Sequence, residues 1–118
     1  LGYVASIGSN QVESPTQLHR LEPNLMVASW YGNEFAGRTT ASGTIYNPSG
    51  MTAAHRHLPF GTRLIVGLKG KWIEVVVTDR GPYMKGRDLD LSEGAADALG
   101  FKTHGLAVVR VYEVKEMP

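Results

Sequence analysis

The sequence contains no cysteine. Disulfides, thiolate metal sites and a lipid-modified cysteine on this chain are therefore excluded. It also lacks any apolar run long enough to span a membrane. Charge of either sign is sparse, with 12 Lys and Arg against 11 Asp and Glu for a net +1. Nucleic-acid binding usually needs a concentrated basic face, so no nucleic-acid partner is expected. Lys69, Lys71, Lys85 and Arg87 could form a local basic rim, but they are read as solvated turn charges. Leu1 to Gly8 is mildly apolar without a basic flank and does not read as an intact signal peptide. Since the chain starts with Leu, a processed or trimmed product is expected. There is no internal repeat and no low-complexity tract.

What is present fits one soluble globular domain: 118 residues, of which 42% are hydrophobic, enough for a single modest core. Residues 1–24 are polar and aperiodic, with Pro15 and Pro23, and read as an N-terminal arm or linker. Residues 25–118 read as the folded domain. Its signals are mostly strand. Met26 to Tyr31 is a β-rich run, and Leu106 to Val114 is a final long strand. Thr62 to Leu68 and Trp72 to Thr78 alternate with period two, and Lys69-Gly70 between them suits a tight hairpin turn. One helix is predicted over about 92–99, capped by Ser92 and ended by Gly100, with Ala95 and Leu99 on its buried face. Several short strands with one short helix predict a mainly β protein, a small closed barrel.

The polar residues at strand ends are the candidates for chemistry. Asp79 ends the run Val75-Val76-Val77-Thr78 and precedes Arg80-Gly81-Pro82. It is either a ligand-binding or catalytic carboxylate or an Asx-turn residue bonded to its own backbone. In Asp88-Leu89-Asp90-Leu91-Ser92, alternation turns both leucines to the core and both aspartates away from it. Asp90 then either shares a cleft with Asp79 or supports the start of the helix. His55 and His57 share one side of an extended segment, but spacing supplies no third ligand, so no metal is expected. His55 is read as a proton carrier or hydrogen-bonding group and His57 as a surface residue. Trp30 and Tyr31 either divide between core and groove, where a ring can stack on a sugar, or both lie in the core. Tyr83 is a further groove candidate.

The segments ASWYG, GRTTASG, TAAH, LPFGTRL, VVVTDRGPY, GRDLDLS and AADALG occur in this order. Together they resemble the double-psi β-barrel domain of the rare lipoprotein A (RlpA) family, over about Ala28 to Tyr112. The resemblance implies a six-stranded double-psi β-barrel with one short helix, related to expansin and barwin-like domains. It implies a groove for peptidoglycan glycan strands and a lytic transglycosylase activity that leaves anhydromuramic ends, without a cofactor. The family histidine falls on His55, the family aspartate on Asp79, and the aspartate of expansin-like relatives on Asp90. Asp79 is expected as acid/base, His55 as a residue that orients the sugar or assists proton transfer, and Asp90 as one that bonds substrate or positions Asp79. Trp30, Tyr31, Thr44, Arg80 and Tyr83 are the expected substrate-binding residues.

One position departs from the family pattern. The family glutamate follows TASG, where this chain has Thr44. A threonine hydroxyl does not transfer a proton usefully near neutral pH, and glycosidic cleavage needs a proton donor for the leaving oxygen. Two alternatives therefore stand beside the enzyme: an expansin-like polysaccharide-binding module, and a structural component of an envelope or phage-tail assembly that engages a protein partner through the arm. The expected location is the bacterial cell envelope, periplasmic or secreted, with a phage virion as the alternative.

Overall fold

The computed structural model describes Ser6–Ile7, Gln11–Val12 and residues 23–115. The two dipeptides are strands β1 and β2, and they pair antiparallel. Gln11 pairs in turn with Ile73. The remainder of the stretch read as an arm, up to residue 22, lies outside the described residues.

Six further strands close a barrel: β3 (Asn24–Tyr31), β4 (Thr52–Ala54), β5 (Arg63–Leu68), β6 (Lys71–Asp79), β7 (Leu89–Ser92) and β8 (Ala107–Glu113). Around the barrel the order is β6-β4-β7-β3-β8-β5, and β5 returns to β6. Closure leaves no unpaired edge among these six. The β3–β7 and β4–β6 pairs are parallel and the rest antiparallel, giving the mixed, closed six-stranded barrel that the motifs imply. Among the described residues no helix is long and apolar enough to cross a membrane.

Local chemistry accounts for the best-defined elements. Lys69 and Gly70 both have positive φ, 50° and 83°, the pair of values that a two-residue hairpin turn requires. The turn joins Leu68 to its partner Lys71. Helix α1 (Glu93–Leu99) starts at Ser92, whose Oγ accepts from Ala95 N, and ends at the left-handed Gly100, whose N–H reaches Ala96 and Asp97 carbonyls. Leu64, Val66, Ile73, Val75, Val77, Leu89, Leu91, Val109 and Val111 fill the barrel, with Ala95 and Leu99 of α1 packed against them. Ile65 points the other way and is sealed from outside by Trp72, Tyr112 and Val114.

Ser92 is a structural junction. Its buried Oγ donates to Gly50 O at 2.5 Å and accepts from Ala95 N and, at 3.4 Å, from Thr52 N. One hydroxyl thus ties the helix to β4 and to the loop before it. Ser92→Ala leaves a part-buried carbonyl and a buried helix N–H without the Ser92 partner. It is expected to lower stability by about 2 kcal/mol, measured by urea denaturation of both proteins; a change under ~0.5 kcal/mol would remove Ser92 from this role.

Candidate active site

Strand register brings the candidate acids together. Ala54 of β4 pairs with Asp79 of β6 on one side and with Asp90 of β7 on the other. Asp90 pairs in turn with Ser29 of β3. The two aspartates are therefore two strands apart, roughly 10 Å between backbones, astride a methyl group. Asp90, Ser29 and Tyr31 reach the outer face of the barrel by simple alternation with the core residues Leu89, Leu91 and Ala28. Asp79 does not. It has the parity of the core residues Val75 and Val77. A register shift re-phases it, since consecutive Ala53 and Ala54 pair with Val77 and Asp79 and leave Thr78 as an extra residue. Bulges of this kind re-aim side chains.

The loop between β3 and β4 forms the facing wall. It begins with a 3-10 turn (Asn33–Phe35) and folds back through a Thr39–Ile45 bridge. Asp79 holds it: Oδ1 accepts from Ala41 N and Arg80 N, both at 2.9 Å. The carbonyl of the extra residue Thr78 accepts from Ser42 N at 3.1 Å. Between strands and loop lies a cavity of about 310 Å³ lined by Tyr31, Phe35, Arg38, Thr39, Thr40, Tyr46, Ala54, Asp79, Arg80 and Asp90. Tyr31 stacks on Tyr46 with ring centres 4.5 Å apart and meets Phe35 edge-on at 5.8 Å. Tyr46 is fixed by its hydroxyl, which donates to Tyr31 O at 2.7 Å.

Burial shifts the ionisation of two of these groups. It raises the Asp90 carboxyl above its ordinary value; the Ser29 hydroxyl, donating to Oδ1 at 2.9 Å, and the charge of Arg87 pull it down, while Asp79 pushes it up. Burial, and then the charges of Asp79, Tyr46 and Asp90, raise the Tyr31 phenol, so it remains a donor. Removing the Ser29 hydroxyl withdraws a bond to the charged form of Asp90. In Ser29→Ala the Asp90 titration midpoint should move higher still, followed by carbon NMR of the labelled carboxyl; a downward shift would contradict this account.

The other sequence candidates fall in several places. Asp79, Asp90, Tyr31 and Arg80 line the cavity, although Arg80 is occupied: one nitrogen donates to His55 O and Leu58 O, and the guanidinium lies 3.9 Å over the Phe60 ring. Trp30 is on the opposite face of β3 from Tyr31, against the core, with Nε1 donating to Lys102 O. Thr44 is outside the lining and joins Thr40 and Ser42 in a cluster of hydroxyls. Tyr83 is 77% exposed and is not among the residues that line the cavity.

His55 sits behind the site rather than in it. It is 5% exposed, and its N–H donates to Asp79 O. Its Nδ1 accepts from the backbone N–H groups of His57 and Leu58, at 3.2 and 3.1 Å. Burial, and then the positive charges of His57, Arg56 and Arg80, lower its pKa, so the ring is neutral near pH 7. The unfolded chain takes up this proton more readily than the folded one. Stability contributed by His55 is complete above about pH 6.5 and declines as pH falls through that value toward the folded-state pKa. His55→Asn offers an oxygen to the same two amides without titrating there. Its stability should fall less than that of the wild type between pH 7 and pH 5, measured by chemical denaturation; equal losses would count against the role.

Arg38, Phe35, Thr39, Thr40 and Tyr46 were not marked by the sequence. Their signal is weak, because they belong to a loop whose fold depends on Asp79.

The comparisons agree with this architecture. Residues 25–111 match the family model described as Lytic transglycolase. The chain belongs to this family. Among its curated relatives, "Probable endolytic peptidoglycan transglycosylase RlpA" of Nostoc sp. is 52% identical over 89 residues, covering 72% of this chain and 24% of the relative. The protein of the same name from Aquifex aeolicus is 56% identical over 81 residues, 67% of this chain and 36% of the relative. The family domain described here thus spans only about a quarter to a third of those relatives. Two solved structures share the fold at low identity. Streptomyces papain inhibitor has a TM-score of 0.66 at 21% identity, covering 80% of this chain and 96% of that one. The apo expansin of Clavibacter michiganensis has a TM-score of 0.63 at 22% identity, covering 82% and 52%.

Proposed function

We propose that this domain binds peptidoglycan glycan strands in the cavity and cleaves them by lytic transglycosylation. The single observation that carries the reading is the row Asp79–Ala54–Asp90, which places two carboxylates on one wall of an open cavity. Relatives named peptidoglycan transglycosylases support the choice of polymer. It implies the bacterial cell envelope as the site of action; the virion alternative gains no support from the relatives.

The geometry favours different roles for the two acids than the family pattern suggests. Asp90, with its raised pKa, suits the proton donor. It protonates the glycosidic oxygen as the bond to the anomeric carbon of the muramic sugar breaks. Asp79, anchored by two backbone N–H groups through one oxygen, faces the developing positive charge and accepts the proton of the C6 hydroxyl. That hydroxyl oxygen closes onto the anomeric carbon, giving the anhydro end without consuming water. Tyr31 and Phe35 provide ring surface for the sugar, and His55 acts by supporting Asp79 and Arg80. Solvent exchange then resets both carboxyls.

Thr44 favours a second reading, in which the cavity binds the glycan without turnover. Soluble glycan strands incubated with the protein should yield anhydro-ended fragments, detected by mass spectrometry. Asp90→Asn and Asp79→Asn should each slow their release at least ~100-fold. Thr44→Glu should accelerate it. A wild type that binds strands but releases no fragments leaves the binding reading in place and removes the enzymatic one.

A further inference from the structure

Two guanidinium groups border the cavity, and their situations differ. Arg80 is committed to two carbonyls and a ring. Arg38 has a fixed backbone and an uncommitted head. Its N–H donates to Phe35 O at 3.1 Å, and its carbonyl accepts from Tyr46 N at 2.8 Å. Its exposed guanidinium forms no hydrogen bond or ion pair among the described residues; the contact it does make is with the Phe35 ring, 5.6 Å from the centroid. A planar fork of five N–H donors is thus held at the cavity wall by a rigid hairpin and an aromatic face.

A neutral sugar does not call for such a group, since aromatic rings and the two carboxylates already offer stacking and acceptors for hydroxyls. A guanidinium with spare donors matches a carboxylate, which it can bond in two places at once. The Asp79 carboxylate disfavours an anion beside it, whereas the Arg38 guanidinium on the same cavity favours one. We propose that Arg38 is a specificity-determining residue that takes the lactyl carboxylate of a muramic acid residue in the bound strand, an inference that rests on the glycan reading above. That carboxylate is free where the sugar carries no stem peptide and becomes an amide where it does. Stem peptides carry carboxylates of their own, so the test must separate the two sources.

Three soluble strand preparations do so: peptide-free, peptide-free with the lactyl carboxylates reduced to alcohols, and peptide-bearing. Affinities are measured by isothermal calorimetry with the full chain as wild type, Arg38→Gln and Arg38→Lys, after thermal melting has shown that all three are folded. Wild type should bind peptide-free strands about five- to tenfold more tightly than reduced strands, with a preference that weakens in high salt. In Arg38→Gln the two affinities should become equal, and Arg38→Lys should restore part of the difference. Equal binding of both preparations by wild type, or a preference that survives in Arg38→Gln, would overturn the inference while leaving glycan binding intact. Tightest binding to peptide-bearing strands would assign the guanidinium to a peptide carboxylate and overturn the lactyl assignment. Binding to none of the three would remove the glycan reading itself, and this inference with it.

Discussion

One extra residue in a barrel strand organises the rest of the site. Without the shift at Thr78, strand alternation would send Asp79 into the apolar interior beside Val75 and Val77. An unpaired carboxylate there would cost several kcal/mol or be forced neutral. With the shift, Asp79 emerges opposite Ala54 and in line with Asp90. The same segment supplies the anchors for the facing loop. The Thr78 carbonyl takes the Ser42 N–H and the Asp79 carboxylate takes the Ala41 N–H, while the Asp79 carbonyl takes the N–H of His55, just after β4. Turning the acid outward and holding the second wall in place are consequences of one irregularity.

The electrostatics follow from this enclosure. Asp90 is packed between strands with one hydroxyl donor, so desolvation outweighs the groups that favour its charge. Asp79 has two backbone donors and sits at the loop junction. Two chemically identical residues thereby have different surroundings. The barrel alone would not achieve it. A papain inhibitor and an expansin share the fold at low identity, so the fold by itself does not fix what the outer face does.

Several local features were readable because their causes are local. Lys69-Gly70 announces a turn through its tolerance of positive φ, and Ser92 and Gly100 mark the helix by capping chemistry. Leu89 and Leu91 place Asp90 outside the core by parity alone, and the same rule separates Trp30 from Tyr31 once one of them is known to face inward. His55 shows the limit of motif reasoning. Its position in TAAH marks it as important, but its Nδ1 is taken up by the amides of His57 and Leu58. Arg38 is one of 12 cationic residues in the chain, and its sequence context does not distinguish it from those on the surface.

The sequence by itself determined the alternation of apolar residues, the hairpin turn, the helix caps and the ordered motifs that mark the family. These depend on neighbours within a few positions, where the chain's covalent geometry sets which residues share a face. Only the tertiary structure decided that Asp79 leaves the phase of its own strand, that His55 supports the site from behind, and that Arg38 borders the cavity with its donors unused among the described residues. Each of those outcomes depends on pairing between segments far apart in the chain, and a cross-strand register carries no trace in the local periodicity of either partner.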